Sequence, residues 1–207
     1  MTDRGVNARG VNGRGVNGRV QRLTKLQPDM LNAAQAELYA AMTGGPRGGS
    51  NQPFRLVDDT GALTGPFNAM LLEPAVGEAL QALGAALRYR GSLPDRAREL
   101  AILIVAAHTE CEFEQFAHEA AGRRAGLTDA DLAAIRAGQE PDLADPAERA
   151  LVRATWTLAR TGDLTDEQYA AAEAELGQAA LFELTTLAGY YSTLALQLRV
   201  FRVETPQ

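Results

Sequence analysis

The stretch LPDRARELAILIVAAHTECEFEQFAHEAAGRRAGLTDADLAAI, residues 93–135, carries the pattern that decides the fold of this chain. Pro94 follows Ser92, a possible cap, and proline suits a first helical turn, so a helix is expected from Asp95 to about Ala107. A second helix is expected to begin near Thr109 or Glu110 and to stop at Gly126, since glycine commonly closes a helix. Thr128 then caps a short helix that ends at Gly138.

The same punctuation continues outward. Asp145-Pro146 opens a helix ending at Gly162, Thr165 with Gln168 resembles a capping box for one ending at Gly177, and a final helix covers about Ala179 to Phe201. Upstream, helical periodicity runs from Phe67 through Val76, Leu80, Leu83 and Leu87 to Arg90, with a break at Glu73-Pro74. A first helix is expected from an Asp29 N-cap through Met30, Leu31, Ala34, Leu38 and Met42 to Gly44. Between these two, residues 44–66 are rich in glycine and proline and are expected to form an extended surface connection, of the kind that often shapes binding sites. Phe54-Arg55-Leu56-Val57 is the only strand candidate, so the expected fold class is all-α with seven or more helices.

Residues 5–19 repeat GVNAR, GVNGR, GVNGR and hold too little apolar surface to offset their ordering entropy. Residues 1–22 are therefore expected to be a flexible tail, with a basic arm as the alternative, and residues 23–207 a single helical domain. With 20 basic against 26 acidic side chains the net charge is −6, which offers no electrostatic footprint for nucleic acid. Cys111 is the one cysteine, so no intramolecular disulfide can form and no thiolate-rich zinc site is available. A soluble, cytoplasmic protein is expected, with no membrane partner, because no run approaches the roughly 18 apolar residues that span a bilayer.

Chemistry concentrates on Glu99, Cys111, Glu114 and His118. The last three recur at spacings of three, four and seven, which on one helix places them within an arc of about 60°. A carboxylate between a thiol and an imidazole would orient the ring and tune both groups, and a carboxylate-held histidine is a common proton-transfer unit. Glu99 stands among Leu100, Ala101, Ile102, Leu103 and Ile104, so burial should raise its pKa and suit it to acid or base work. Charges at this spacing also form ordinary solvated faces, and a lone cysteine is often a small buried apolar residue. His108 either reaches the site from the helix junction or interacts with helix-end carbonyls. Tyr190 and Tyr191 either supply one pocket hydroxyl or pack in a core or interface, and Trp156 is expected to pack.

Residues 93–135 resemble the core motif of the carboxymuconolactone decarboxylase and alkylhydroperoxidase D-like superfamily. In that pattern a glutamate precedes, by about a dozen residues, a helix bearing Cys-x-x-Cys-x-x-x-His or a variant with Glu as the second member. Glu99, Cys111 and His118 match the leading glutamate, the first cysteine and the histidine, and Glu114 replaces the second cysteine. The resemblance extends more loosely through Gly65-Pro66-Phe67-Asn68, Leu72-Glu73-Pro74, Gly84 and Gly189-Tyr190-Tyr191. It implies an alkylhydroperoxidase D-like helical fold, a homo-oligomer (trimer or hexamer) with pockets near subunit interfaces, and catalysis by Glu99, Cys111, Glu114 and His118. Phe67, Asn68, Tyr190 and His108 are the candidate substrate-binding residues.

The peroxidase members of that superfamily use two cysteines, one attacking peroxide and one resolving the sulfenic acid. With a single cysteine, the resemblance favours acid-base chemistry of the decarboxylase or isomerase kind on a small carboxylated or lactone-type substrate, with neither cofactor nor metal. His118 would carry the proton and Glu114 orient it. A substrate-carboxylate anchor is expected among Arg88, Arg90, Arg96 and Arg98, with nothing in the sequence to choose between them. Two alternatives stay open: a thiol-dependent peroxidase centred on Cys111, and a non-catalytic ligand-binding oligomer.

Overall fold

The computed structural model describes residues 21–49 and 54–205. Apart from Gln21 and Arg22, the repeat tail of the sequence analysis lies outside the described residues. These fold into eight α-helices: α1 (Ala33–Gly44), α2 (Pro66–Met70), α3 (Pro74–Tyr89), α4 (Asp95–His108), α5 (Glu112–Arg124), α6 (Asp129–Arg136), α7 (Pro146–Thr161) and α8 (Asp166–Phe201). The all-α expectation holds.

Helix α4 is the axis of the structure. Every residue from Ala97 to Ala106 is buried, because the run Leu100 to Val105 is apolar on all sides and leaves no face that prefers water. It packs against α5, α7 and α8, while α2 and α3 pack on α8 and on each other, and α1 packs on α3. The capping signals of α6, α7 and α8 fall where the sequence places them, whereas Ser92 does not cap α4, whose N-cap is Pro94, and bonds Glu183 of α8 instead. Thr128 and Thr165 both form reciprocal capping boxes, with Asp131 and Gln168, and Asp145 caps α7 through the Ala147 amide. Gly177 has φ 77°, ψ 161° inside α8, which breaks that helix at the expected boundary.

Three further expectations are corrected. Helix α1 is capped by Asn32 in a capping box with Gln35, not by Asp29, which sits in a 3-10 turn over Pro28–Met30. The strand candidate yields a single bridge, Val57 to Leu63, around a turn that needs Gly61 at φ 83°. The connection after α1 is not a surface segment throughout: Leu56, Ala62 and Leu63 are buried, since they supply apolar area that the short helix α2 cannot.

The ends of the domain are fastened together. Backbone amides of Arg22 and Leu23 donate to the Phe201 carbonyl at the end of α8. No helix among the described residues is long and apolar enough to cross a membrane.

Candidate active site

The turn between α4 and α5 sets the geometry of the site. Glu110 takes the left-handed conformation, φ 52°, and the amides of Glu110 and Cys111 donate back to the carbonyls of Ala107 and Ala106. This is the hydrogen-bond pattern of a glycine-type helix stop, here built on a glutamate. The chain leaves it with Cys111 extended, φ −93° and ψ 95°, as the N-cap of α5.

Cys111 therefore does not share a helical stripe with Glu114 and His118. Its side chain joins Phe113, Ala117, Ala195 and Leu198 in a small apolar cluster and lines a cleft bordered by the end of α8 and the N-terminal segment. Burial pushes its thiol up to about 11, over the opposing pull of the Glu114 and Phe113 amides.

Glu114 and His118, one turn apart on α5, meet Glu99 of α4. The His118 Nδ1 lies 2.6 Å from Glu99 Oε2, and Nε2 lies 3.2 Å from Glu114 Oε2. All three side chains are buried, at 2% exposure for Glu99, 3% for Glu114 and 5% for His118. Burial by itself disfavours an imidazolium, but the charge of Glu99 and the hydrogen bonds that the ring donates to Glu114 and Glu99 outweigh it and push His118 up to about 9. Both ring nitrogens then carry protons, with Nδ1–H donated to Glu99 and Nε2–H to Glu114.

The expectation for Glu99 is reversed. Burial does oppose its charge, yet His118 beside it, followed by Arg88 and Arg98, holds the carboxyl below the usual range. Arg88 Nη1 approaches Glu99 Oε1 at 3.4 Å and also hydrogen-bonds Tyr191. Of the four arginines that the sequence left level, Arg88 is the one that lines the cavity. Arg96 is committed to Glu148 and Asp131, and Arg98 to Asp95.

Glu114 and His118 open into a cavity of about 40 Å³. Tyr191 packs edge-on against the His118 ring, centroids 5.1 Å apart, and Tyr190 lies perpendicular to Tyr191. Phe54, Leu56, Phe67 and Phe113 form an apolar wall, and Arg47, from the turn after α1, completes the lining. Tyr191, one of the two tyrosines that the sequence offered for a pocket hydroxyl, lines the cavity beside Tyr190, whereas Arg47 is a site residue that sequence reasoning missed, and nothing local to it signals it.

The other candidates divide. Phe67 and Tyr190 line the cavity. Asn68 does not: its amide is saturated by Leu26, accepting from the backbone N–H and donating to the carbonyl, both at 3.0 Å, which pins the N-terminal segment. His108 is also corrected, because it ends α4 on the exposed surface and lines neither the cavity nor the cleft. Among the described residues, no group of three or more His, Cys, Asp or Glu is placed to hold a metal ion.

Residues 74–156, which run from α3 to Trp156 in α7, match the model of the carboxymuconolactone decarboxylase family. The fold is similar to that of an uncharacterised peroxidase-related protein with an alkylhydroperoxidase AhpD core from Ralstonia eutropha JMP134. The TM-score is 0.71 at 13% identity, over 90% of this chain and 93% of that one. A protein of unknown function from Agrobacterium tumefaciens, proposed in its description to be the antioxidant defence protein AhpD, is similar at TM-score 0.59 and 22% identity, over 70% of this chain and 99% of that one. The chain has no match among curated proteins.

Proposed function

We propose that this chain belongs to the carboxymuconolactone decarboxylase and AhpD-like superfamily, which the family match and the shared fold support, and is a small-molecule enzyme of lyase or isomerase type that works by acid-base chemistry at His118. One observation carries this reading: an imidazole at the edge of a cavity, bracketed by two buried carboxylates, with its pKa near 9.

Glu99 fixes Nδ1–H, so the transferable proton is the one on Nε2, on the side of Glu114. A basic carbon or oxygen of the substrate, seated in the cavity, takes that proton as the Nε2–H bond breaks, and the ring is left neutral between two carboxylates. Their charge favours its reprotonation and so resets the site. Glu114 touches the same nitrogen and is placed to relay the proton. A substrate that accumulates negative charge, such as a carboxylated or lactone-type compound losing carbon dioxide or shifting a double bond, matches a site whose resting donor is a cation.

The thiol-peroxidase alternative finds less support. A thiol nucleophile works as the thiolate, and Cys111 is buried, raised to about 11 and directed into the other cleft.

The test follows proton transfer itself. Carboxylated lactones and unsaturated acids incubated in D2O are followed by NMR for deuterium entering carbon or for decarboxylation. Turnover is expected in the wild type and in Cys111→Ser, with a loss of roughly 10²–10⁴-fold in His118→Gln. Turnover that persists in His118→Gln, or peroxide reduction abolished by Cys111→Ser, would sink the acid-base reading.

A further inference from the structure

Arg47 is the lining residue whose chemistry the proton-transfer unit leaves unused. It lies outside residues 74–156 of the family match and reaches the cavity from the 3-10 turn Pro46–Gly48. Its guanidinium lies over the Phe67 ring, 5.0 Å from the centroid, and hydrogen-bonds Tyr190. Gly84 of α3 makes room for this arrangement: a Cβ there would stand 2.1 Å from Tyr190 Oη and 2.8 Å from Arg47 Nη2.

Two observations show that the group is incomplete as it stands. Arg47 Nε is buried with no hydrogen-bond partner, and a buried donor left unmade is unfavourable. Arg47 also has no carboxylate partner among the described residues, whereas Arg88 in the same lining is balanced by Glu99. A planar guanidinium, stacked in place with its Nε–H lacking an acceptor, fits a carboxylate, whose oxygen can take that N–H. The cavity of about 40 Å³ admits the carboxylate end of a small acid, about three heavy atoms at roughly 10–15 Å³ for each water-sized group.

We propose that Arg47 is the specificity-determining residue of this cavity: it anchors a substrate carboxylate through Nε–H, in the same chamber as the His118 and Glu114 proton donor. This rests on the acid-base reading for its consequence, and on the unpartnered guanidinium for its evidence. It selects small carboxylic acids whose reacting atom lies within a few bonds of the carboxylate, and disfavours their amides and esters.

Binding separates the two claims. Acetate serves as the probe and acetamide as its neutral counterpart, titrated into the full chain and followed by the NMR signals of the arginine Nε–H groups. Acetate should move one Nε–H resonance saturably, the one missing in Arg47→Lys, and acetamide should not. Arg47→Gln should weaken acetate binding by about 10- to 100-fold, Arg47→Lys by less, and the exposed control Arg55→Gln should leave it unchanged. Equal binding of acetate and acetamide, or acetate affinity unchanged in Arg47→Gln and Arg47→Lys, overturns the anchor. Acetate held by Arg47 in a protein that transfers no proton to any carboxylic acid supports the anchor and counts against the acid-base reading instead.

Discussion

The first two turns of α5 sit side by side and do different things. At its N-cap, Cys111 is buried in apolar surroundings with its thiol raised to about 11. One turn on, Glu114 and His118 are as deeply buried, but among charges, with the imidazole held as a cation. Burial is therefore not what separates a neutral group from a charged one; the partner across the gap is. His118 faces Glu99 from another helix, whereas Cys111 faces aliphatic and aromatic carbon. The same desolvation that favours the neutral thiol is outweighed at the imidazole by two carboxylates.

The sharpest way to break this comparison is to take away the cation. Besides losing turnover, His118→Gln leaves Glu99 and Glu114 facing each other's neighbourhood without it, and should destabilise the fold by about 3–5 kcal/mol in denaturant unfolding. Recovery in His118→Gln when Glu99→Gln is added would show that the carboxylate charge is the cause.

A titration probes the same balance without mutation. The folded-state pKa of His118 is about 9 against an ordinary 6.5, so its contribution is fully present below about pH 6.5 and disappears as the pH rises through about 9. That contribution is on the order of 3 kcal/mol. Urea midpoints measured from pH 6 to 10 should fall across this window in the wild type and stay flat across it in His118→Gln.

The thiol side predicts smaller effects. Alkylation of Cys111 should be slow at neutral pH and rise towards pH 11, and Cys111→Ala should cost about 1 kcal/mol while leaving the His118 titration in place. A fast-reacting thiol at pH 7 would erase the distinction between the two turns. Smallest of all, Glu110→Gly relaxes a left-handed non-glycine residue and should stabilise the chain by about 0.5–1 kcal/mol. Its effect on activity shows whether that strained turn also aims the N-cap of α5.

Helix boundaries were legible because the signals are local. Thr128, Thr165 and Asp145 cap through their own side chains to amides two or three residues on, and Gly126, Gly138 and Gly162 supply positive φ where the chain must turn. Where a local signal was shared, the boundary slipped: Asp29 and Asn32 are both capping types, and only Asn32 has Gln35 to complete the box. Cys111 was misplaced for a related reason. Its spacing to Glu114 is helical only if it lies within the helix, and the turn at Glu110 puts it outside.

The sequence by itself determined the helical fold class, most helix boundaries and the three members of the buried carboxylate–imidazole cluster, Glu99, Glu114 and His118. Such properties depend on residues near in the chain or on a compact motif. Tertiary structure alone decided that Glu99 is paired and its pKa lowered, that Asn68 holds the N-terminal segment, and that Arg88 and Arg47 enter the cavity from α3 and the turn after α1. A pKa and a pocket are set by whatever charges and surfaces lie within a few ångströms, and folding brings those from 71 positions away, as Arg47 (118 − 47) is from His118.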